Sequence, residues 1–264
     1  MTETINWEIQ NSNSPLFSDI LWDKPENKFQ SNSLLIIGGS SSSFNLVSDA
    51  FGFTQKLLFS RLTFYLPKTL EKITGSFLSD GSYGQINNSG SFSMINLENL
   101  INLSAQHDST IIVGNLGESS ETNLLFEKLN NQIEAKNLIL CNDSLKLLNG
   151  NQLKINPEKF TLIVDIPQVQ KLLKTLNYHQ TVKSSDDLSK IANVISQFSE
   201  EFSLKIILRL ENYIFVFADN RCSLTKKMNL DDKWQTKIAV ETAVWLNYDS
   251  TKKYERLTTA AYSI

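Results

Sequence analysis

The chain has 264 residues, enough for one large domain or two small ones, each with a sizeable core. A hydrophobic content of 41% and a formal net charge of −3, with Lys and Arg scattered among acids, leave no basic stripe for nucleic acid and no polybasic segment for an anionic membrane. Only Cys141 and Cys222 are cysteines, without metal-ligand spacing, and no apolar run is long enough to span a bilayer; a cytoplasmic setting is expected, with no nucleic-acid or membrane partner.

In chain order, residues 1–33 are polar and irregular, with Pro15 and Pro25 and the isolated aromatics Trp7, Phe17 and Trp22. They read as a leader that packs its rings onto a single main body, 34–264. The run 34–37 (LLII) is a strand, fully apolar as a strand covered on both faces should be. Leu46, Val47, Ala50, Phe51, Leu57 and Leu58 then recur at helical spacing, and RLTFYLP is the next strand, closed by Pro67 before the short helix begun by KTLEKI. Four glycines fall between Gly75 and Gly90, a long flexible loop or a small hairpin.

Beyond it, NLENLINLSAQ is helical, STIIVGNLG is strand then loop, and SSETNLLFEKLNNQI is a helix capped by Ser119 or Ser120. NLILCNDSLKLL and FTLIVDIPQVQKLLKTL each read as strand then helix. SSDDLSKIANVISQFSEEF is an amphipathic helix. LKIILRLENYIFVFADN reads as two strands joined at Glu211–Asn212, and two helices close the chain. This alternation predicts an α/β fold: three-layer α/β/α with a mostly parallel central sheet.

In such a sheet ligands bind outside the carboxyl ends of the strands, where Gly38-Gly39-Ser40 and Gly114-Asn115-Leu116-Gly117 fall. Glycine allows a positive φ and a close approach to a ligand, and it also serves any tight strand-to-helix turn. Neither loop is a dinucleotide fingerprint or a Walker A loop. His107 and His179 read as surface residues, and Asp186-Asp187 and Asp231-Asp232 as charges at helix starts. Cys141 reads as a small buried side chain; Asp143 is either a ligand contact at the sheet edge or the N-cap of the helix that follows.

The order of these segments resembles the ADP- or ATP-dependent NAD(P)H-hydrate dehydratases of the ribokinase-like superfamily. Asn27-Lys28 and Gly38-Gly39-Ser40 stand at that family's separation, RLTFYLPKTLEKI is similar to its second strand, and NLILCNDSLKLL to its Asp-Ala-Asp-Ala-Leu strand end, with Asp143 in register. The resemblance runs from about residue 25 to the C-terminus and implies a ribokinase-like fold. It also implies a substrate- or nucleotide-binding set of Lys28, Gly38, Gly39, Ser40, Gly114, Asn115, Gly117 and Asp143, with ADP or ATP and Mg as the cofactor where the pocket is retained. It further implies homo-oligomers, for which Trp7, Trp22, Trp234 and Trp245 are interface residues or core.

The departures point the other way. Phe29 and Asn32 replace glycines, Asn115 replaces a proline, Cys141 the first aspartate, and Arg209-Leu210 a Lys-Gly pair. VDIPQVQ keeps only Pro167 of the family's Thr-Pro-His-Pro-Gly-Glu segment. The family's Gly-Ser-Gly-Asp segment, with its anion hole and catalytic aspartate, gives way to KWQTKIAVETAVWL, where Glu241 reads as a solvated face. Three readings follow. A degenerate dehydratase- or carbohydrate-kinase-like protein has lost the ancestral catalysis and keeps nucleotide or small-molecule binding. An active dehydratase or small-molecule kinase has reassigned its acids to Asp143, Asp231 or Asp232. An unrelated Rossmann-like domain is the third.

Overall fold

The structure, a computed structural model, describes residues 6–11, 13–78, 81–117, 119–148, 157–228, 230–246 and 251–264. The strands are β1 (Trp7–Gln10), β2 (Ser33–Gly38), β3 (Arg61–Pro67), β4 (Ser82–Gly84), β5 (Ser109–Val113), β6 (Asn137–Cys141), β7 (Phe160–Asp165), β8 (Lys205–Leu210), β9 (Tyr213–Ala218) and β10 (Arg221–Lys226). The helices are α1 (Ser18–Leu21), α2 (Phe44–Thr54), α3 (Glu71–Thr74), α4 (Leu97–Ala105), α5 (Ser120–Gln132), α6 (Ile166–Thr175), α7 (Leu188–Glu201), α8 (Trp234–Trp245) and α9 (Lys253–Ser263).

The strands form one sheet in the order β1-β10-β9-β8-β7-β6-β5-β2-β3-β4, parallel except at β8–β9 and β9–β10. Side-chain alternation splits the core in two. Leu35, Ile37, Leu138, Leu140, Leu162 and Val164 face one layer, with α5, α6 and α7. Leu34, Ile36, Ile139, Cys141 and Ile163 face the other, with α2, α8 and α9. The expected three-layer α/β/α architecture is what the chain adopts.

The leader does more than pack aromatics. Within it, β1 is an edge strand parallel to β10, and the buried Gln10 amide donates to Thr225 Oγ1 at 2.7 Å and to the Thr258 carbonyl at 2.8 Å. Sequence reading missed β1 and β10 because their buried positions are partly polar. Cys222 and Leu224 face the apolar layer, while Ser223 bonds Thr258 of α9 at 2.8 Å. The Gly75–Gly90 segment contains β4, which runs parallel to β3 at the other edge, and its end turns back through an antiparallel bridge between Ile86 and Phe92, with the Asn87 amide donating to the Ser91 carbonyl at 2.8 Å. Ser79 and Asp80 of that segment lie outside the described residues.

Two further expectations are corrected. His107 is buried, with its ring between the Leu103 carbonyl and Thr63 Oγ1, and burial holds its pKa below the usual imidazole range. Glu241 is buried as well, because α8 is covered by α2 and α9 and carries apolar residues on every side.

Candidate functional site

From β2 the chain goes on to β3 and β4 on one side, then returns to β5 on the other and continues through β6, β7 and β8. That reversal opens a crevice at the carboxyl ends of β2 and β5, the position where doubly wound folds take their ligands. Gly38–Ser40 and Gly114–Gly117 meet there, as their places in the sequence require.

What they do there is bond to each other. The Ser40 amide donates to the Asn115 carbonyl at 2.8 Å, and the Gly39 amide to the Val113 carbonyl at 3.3 Å. Between the loops lies Ser43, which sequence reading passed over. Its hydroxyl accepts from the amides of Ser40 (3.1 Å) and Asn115 (3.2 Å) and donates to the Asn115 carbonyl at 3.1 Å. The Gly117 amide goes to the Asn115 side-chain oxygen at 2.8 Å. Gly114, at φ 78°, leaves room for Ser43: a Cβ there would lie 2.9 Å from the hydroxyl. Four amides that could have held an anion are satisfied within the protein.

Lys28 stays apart from this group. It is exposed in a short turn capped by Asn27, ahead of the first residue of β2, whereas Gly38 is the last. The six-residue strand between them rises about 17 Å from Ser33 to Gly38. Asn32, in the place of a family glycine, bonds the Ala243 and Val244 carbonyls near the end of α8 at 3.2 and 2.8 Å.

Asp143 is neither a buried acid nor the expected cap. Cys141 begins the 3-10 turn 142–147, and its amide bonds Ser144 Oγ at 3.0 Å. Asp143 instead pairs with Lys146 at 2.9 Å, half exposed, a bond of small energetic weight. The cap at Ser119 is as expected, its hydroxyl accepting from the Thr122 amide at 3.1 Å. Cys141 is buried, and burial pushes its thiol pKa up to about 12, so it is no thiolate. Of the tryptophans, Trp234 and Trp245 are core and Trp7 is half-buried; Trp22 is 88% exposed.

Next to the glycine loops, the ends of β6, β7 and β8 and the first turns of α6 and α8 border a cleft of about 640 Å³. Its floor is a network of neutral amides. Asn142, held at φ 57°, donates its backbone N–H to Gln235 Oε1 at 2.9 Å and its side chain to Thr236 Oγ1 at 3.1 Å. Gln235 donates to Gln168 Oε1 at 2.6 Å, and Gln168 to the Asn142 carbonyl at 3.3 Å. Asp165 caps α6 through the Gln168 amide at 2.9 Å.

At the rim Arg209 lies over the Trp234 ring and donates to the carbonyls of Glu211, Leu230 and Asp231, which fastens the segment before α8 to the end of β8. Asp143, Asp165, Glu211 and Asp232 also line the cleft, so carboxylates outnumber the single guanidinium. Among the described residues no group of His, Cys, Asp and Glu is placed to hold a metal ion. A bare phosphate chain meets engaged donors and like charge here: the loop amides are occupied, the arginine is bonded to backbone carbonyls, and the acids lining the cleft are negative.

No protein-family model matches the chain, and no curated protein matches it in sequence. Solved structures do. A ribokinase-like superfamily protein from Enterococcus faecalis superposes with a TM-score of 0.71 at 14% identity, over 98% of this chain and 87% of that one. An ADP/ATP-dependent NAD(P)H-hydrate dehydratase from Bacillus subtilis gives 0.65 at 14%, over 95% and 87%. A phosphomethylpyrimidine kinase from Clostridium difficile gives 0.53 at 13%, over 88% and 100%. The chain has the ribokinase-like fold. At these identities the likeness carries the fold and not a shared reaction.

Proposed function

We propose that this chain is a ribokinase-fold protein that has lost phosphoryl-transfer and dehydratase chemistry and keeps a cleft for a small, uncharged molecule. The observation that carries the reading is the Asn142–Gln168–Gln235 network across the first turn of α8. In the family that the sequence resembles, a glycine-rich anion hole and a catalytic aspartate belong to this segment; here side-chain amides occupy the corresponding turn. Catalysis at a developing negative charge needs preorganised donors aimed at it and, for proton transfer, a positioned base. These amides are spent on one another.

Thermal melting of the full chain with Mg-ATP, Mg-ADP, AMP, NADH, NADPH and uncharged nucleosides and sugars tests the proposal, alongside an assay for repair of hydrated NADPH. A ligand at a hundred times its Kd adds about 2.7 kcal/mol, a shift of several degrees. The expected pattern is a shift with an uncharged ligand, none with the nucleotides and no turnover. A shift with Mg-ADP, or any turnover, overturns the loss of nucleotide chemistry; a flat response throughout overturns the binding role.

The active-enzyme reading has one observation in its favour, that Asp143 and Asp232 both line the cleft. It requires turnover that falls at least about a hundredfold in Asp143→Asn or Asp232→Asn, the usual weight of a general base.

A further inference from the structure

At the end of the sheet opposite the cleft, β8 begins with Lys205, paired across the sheet with Thr161 of β7. Lys205 is 3% exposed, and its Nζ donates to the backbone carbonyl of Glu158. The same residue lines a cavity of about 270 Å³, bordered also by Glu158, Ser199, Glu200, Asp219 and Lys253. Burial strips water from the ammonium and Lys253 adds like-charge repulsion, which Asp219 and Glu158 offset only in part; the amine's pKa falls to about 7. A desolvated lysine of this kind is a carbon-directed nucleophile near neutral pH.

We propose that Lys205 is a covalent site for a small aldehyde or ketone, held in this cavity as a Schiff base. The Nζ lone pair attacks the carbonyl carbon, forming the C–N bond, and the carbonyl oxygen takes up a proton to give a carbinolamine. The hydroxyl takes up a proton and leaves as water while the nitrogen keeps one of its two protons, so the C=N bond forms as an iminium. Carboxylates at Glu158, Glu200 and Asp219 favour this outcome over carbamate formation with CO2: an iminium places positive charge among them, a carbamate a further negative one. The cavity's volume limits the partner to a compound of a few carbons. The site is separate from the cleft, and its test does not depend on the function proposed for that cleft.

The test is reductive trapping on the intact chain with glycolaldehyde and sodium cyanoborohydride at about pH 6.5, followed by peptide mass mapping. Free base is about a quarter of Lys205 at that pH and about one part in ten thousand of an ordinary exposed lysine. Lys205 is expected to react at least about tenfold faster than Lys136, whose side chain is 75% exposed, after allowance for restricted access. The preference should disappear in denaturing urea, where the cavity is gone. Reaction at Lys205 no faster than at Lys136 overturns the proposal, and so does a preference that survives in urea.

Discussion

The backbone N–H of Asn142 donates to Gln235 Oε1 at 2.9 Å, so a side-chain amide ties the end of β6 to the first turn of α8. Asn142 sits in left-handed backbone, a conformation that asparagine tolerates better than most residues. Gln235 is 5% exposed and serves two partners, since its Nε2 also donates to Gln168. Gln235→Ala leaves the half-buried Asn142 N–H without its partner and removes one of two donors from Gln168 Oε1, which keeps the Asp165 amide at 2.9 Å. It should cost about 1–3 kcal/mol, read as a lower urea midpoint at unchanged m-value.

Gly117 lies at φ 101°, and a Cβ there would overlap the Ser91 side chain. Gly117→Ala therefore carries both backbone strain and a steric clash, together about 2–4 kcal/mol. Ser91→Gly removes the second term and leaves the first. The double variant Gly117→Ala, Ser91→Gly should recover part of the stability lost by Gly117→Ala alone, measured by urea denaturation of all four members of the cycle. Simple additivity would show that the overlap is relieved by movement elsewhere.

Glu241 is buried in α8 and its Oε2 has no hydrogen-bond partner among the described residues. Burial raises its pKa; Lys24, Trp245 and Lys237 pull it back only in part. A carboxyl with a raised folded pKa contributes its stability below the unfolded value near 4.5 and loses it as pH rises through the folded value. Glu241→Gln should thus gain stability relative to the parent on going from pH 4 to pH 8. Equal differences at both pH values would show that the carboxyl is ionised alike in the folded and unfolded chains.

The strands β2, β5, β6 and β7 were legible because each is a continuous apolar run, and the glycine loops because each follows such a run. β1 and β10 were not: Gln10, Ser223 and Thr225 are buried polar residues whose partners lie far away in the chain. Glu241 reads as solvated from its own helix alone, since only the packing of α2 and α9 over α8 buries it. The locking of the two loops rests on one hydroxyl, Ser43, bonded 72 residues away to Asn115. The amide floor of the cleft joins Asn142 to a glutamine 93 residues on. Its single local signal was Asp165 followed three residues later by Gln168, a capping-box spacing that fixes the start of α6.

Lys205 gives the last prediction, through stability and not through reactivity. With a folded pKa of about 7 and an unfolded value near 10.4, the unfolded chain binds more protons at this group throughout the interval between them. Stability must therefore rise with pH across that interval and fall as the folded amine is forced to take up its proton. Between pH 7 and 8.5 the gain from Lys205 is about 1–2 kcal/mol, and ionisation of the unfolded cysteines opposes it equally in parent and variant. The charged groups that act on the amine are Lys253, which opposes its proton, and Asp219 and Glu158, which favour it. Lys205→Met removes the titrating group and should lower the pH dependence of the urea-unfolding free energy by that amount relative to the parent. The same slope in both proteins would place an ordinary, solvated ammonium at this position.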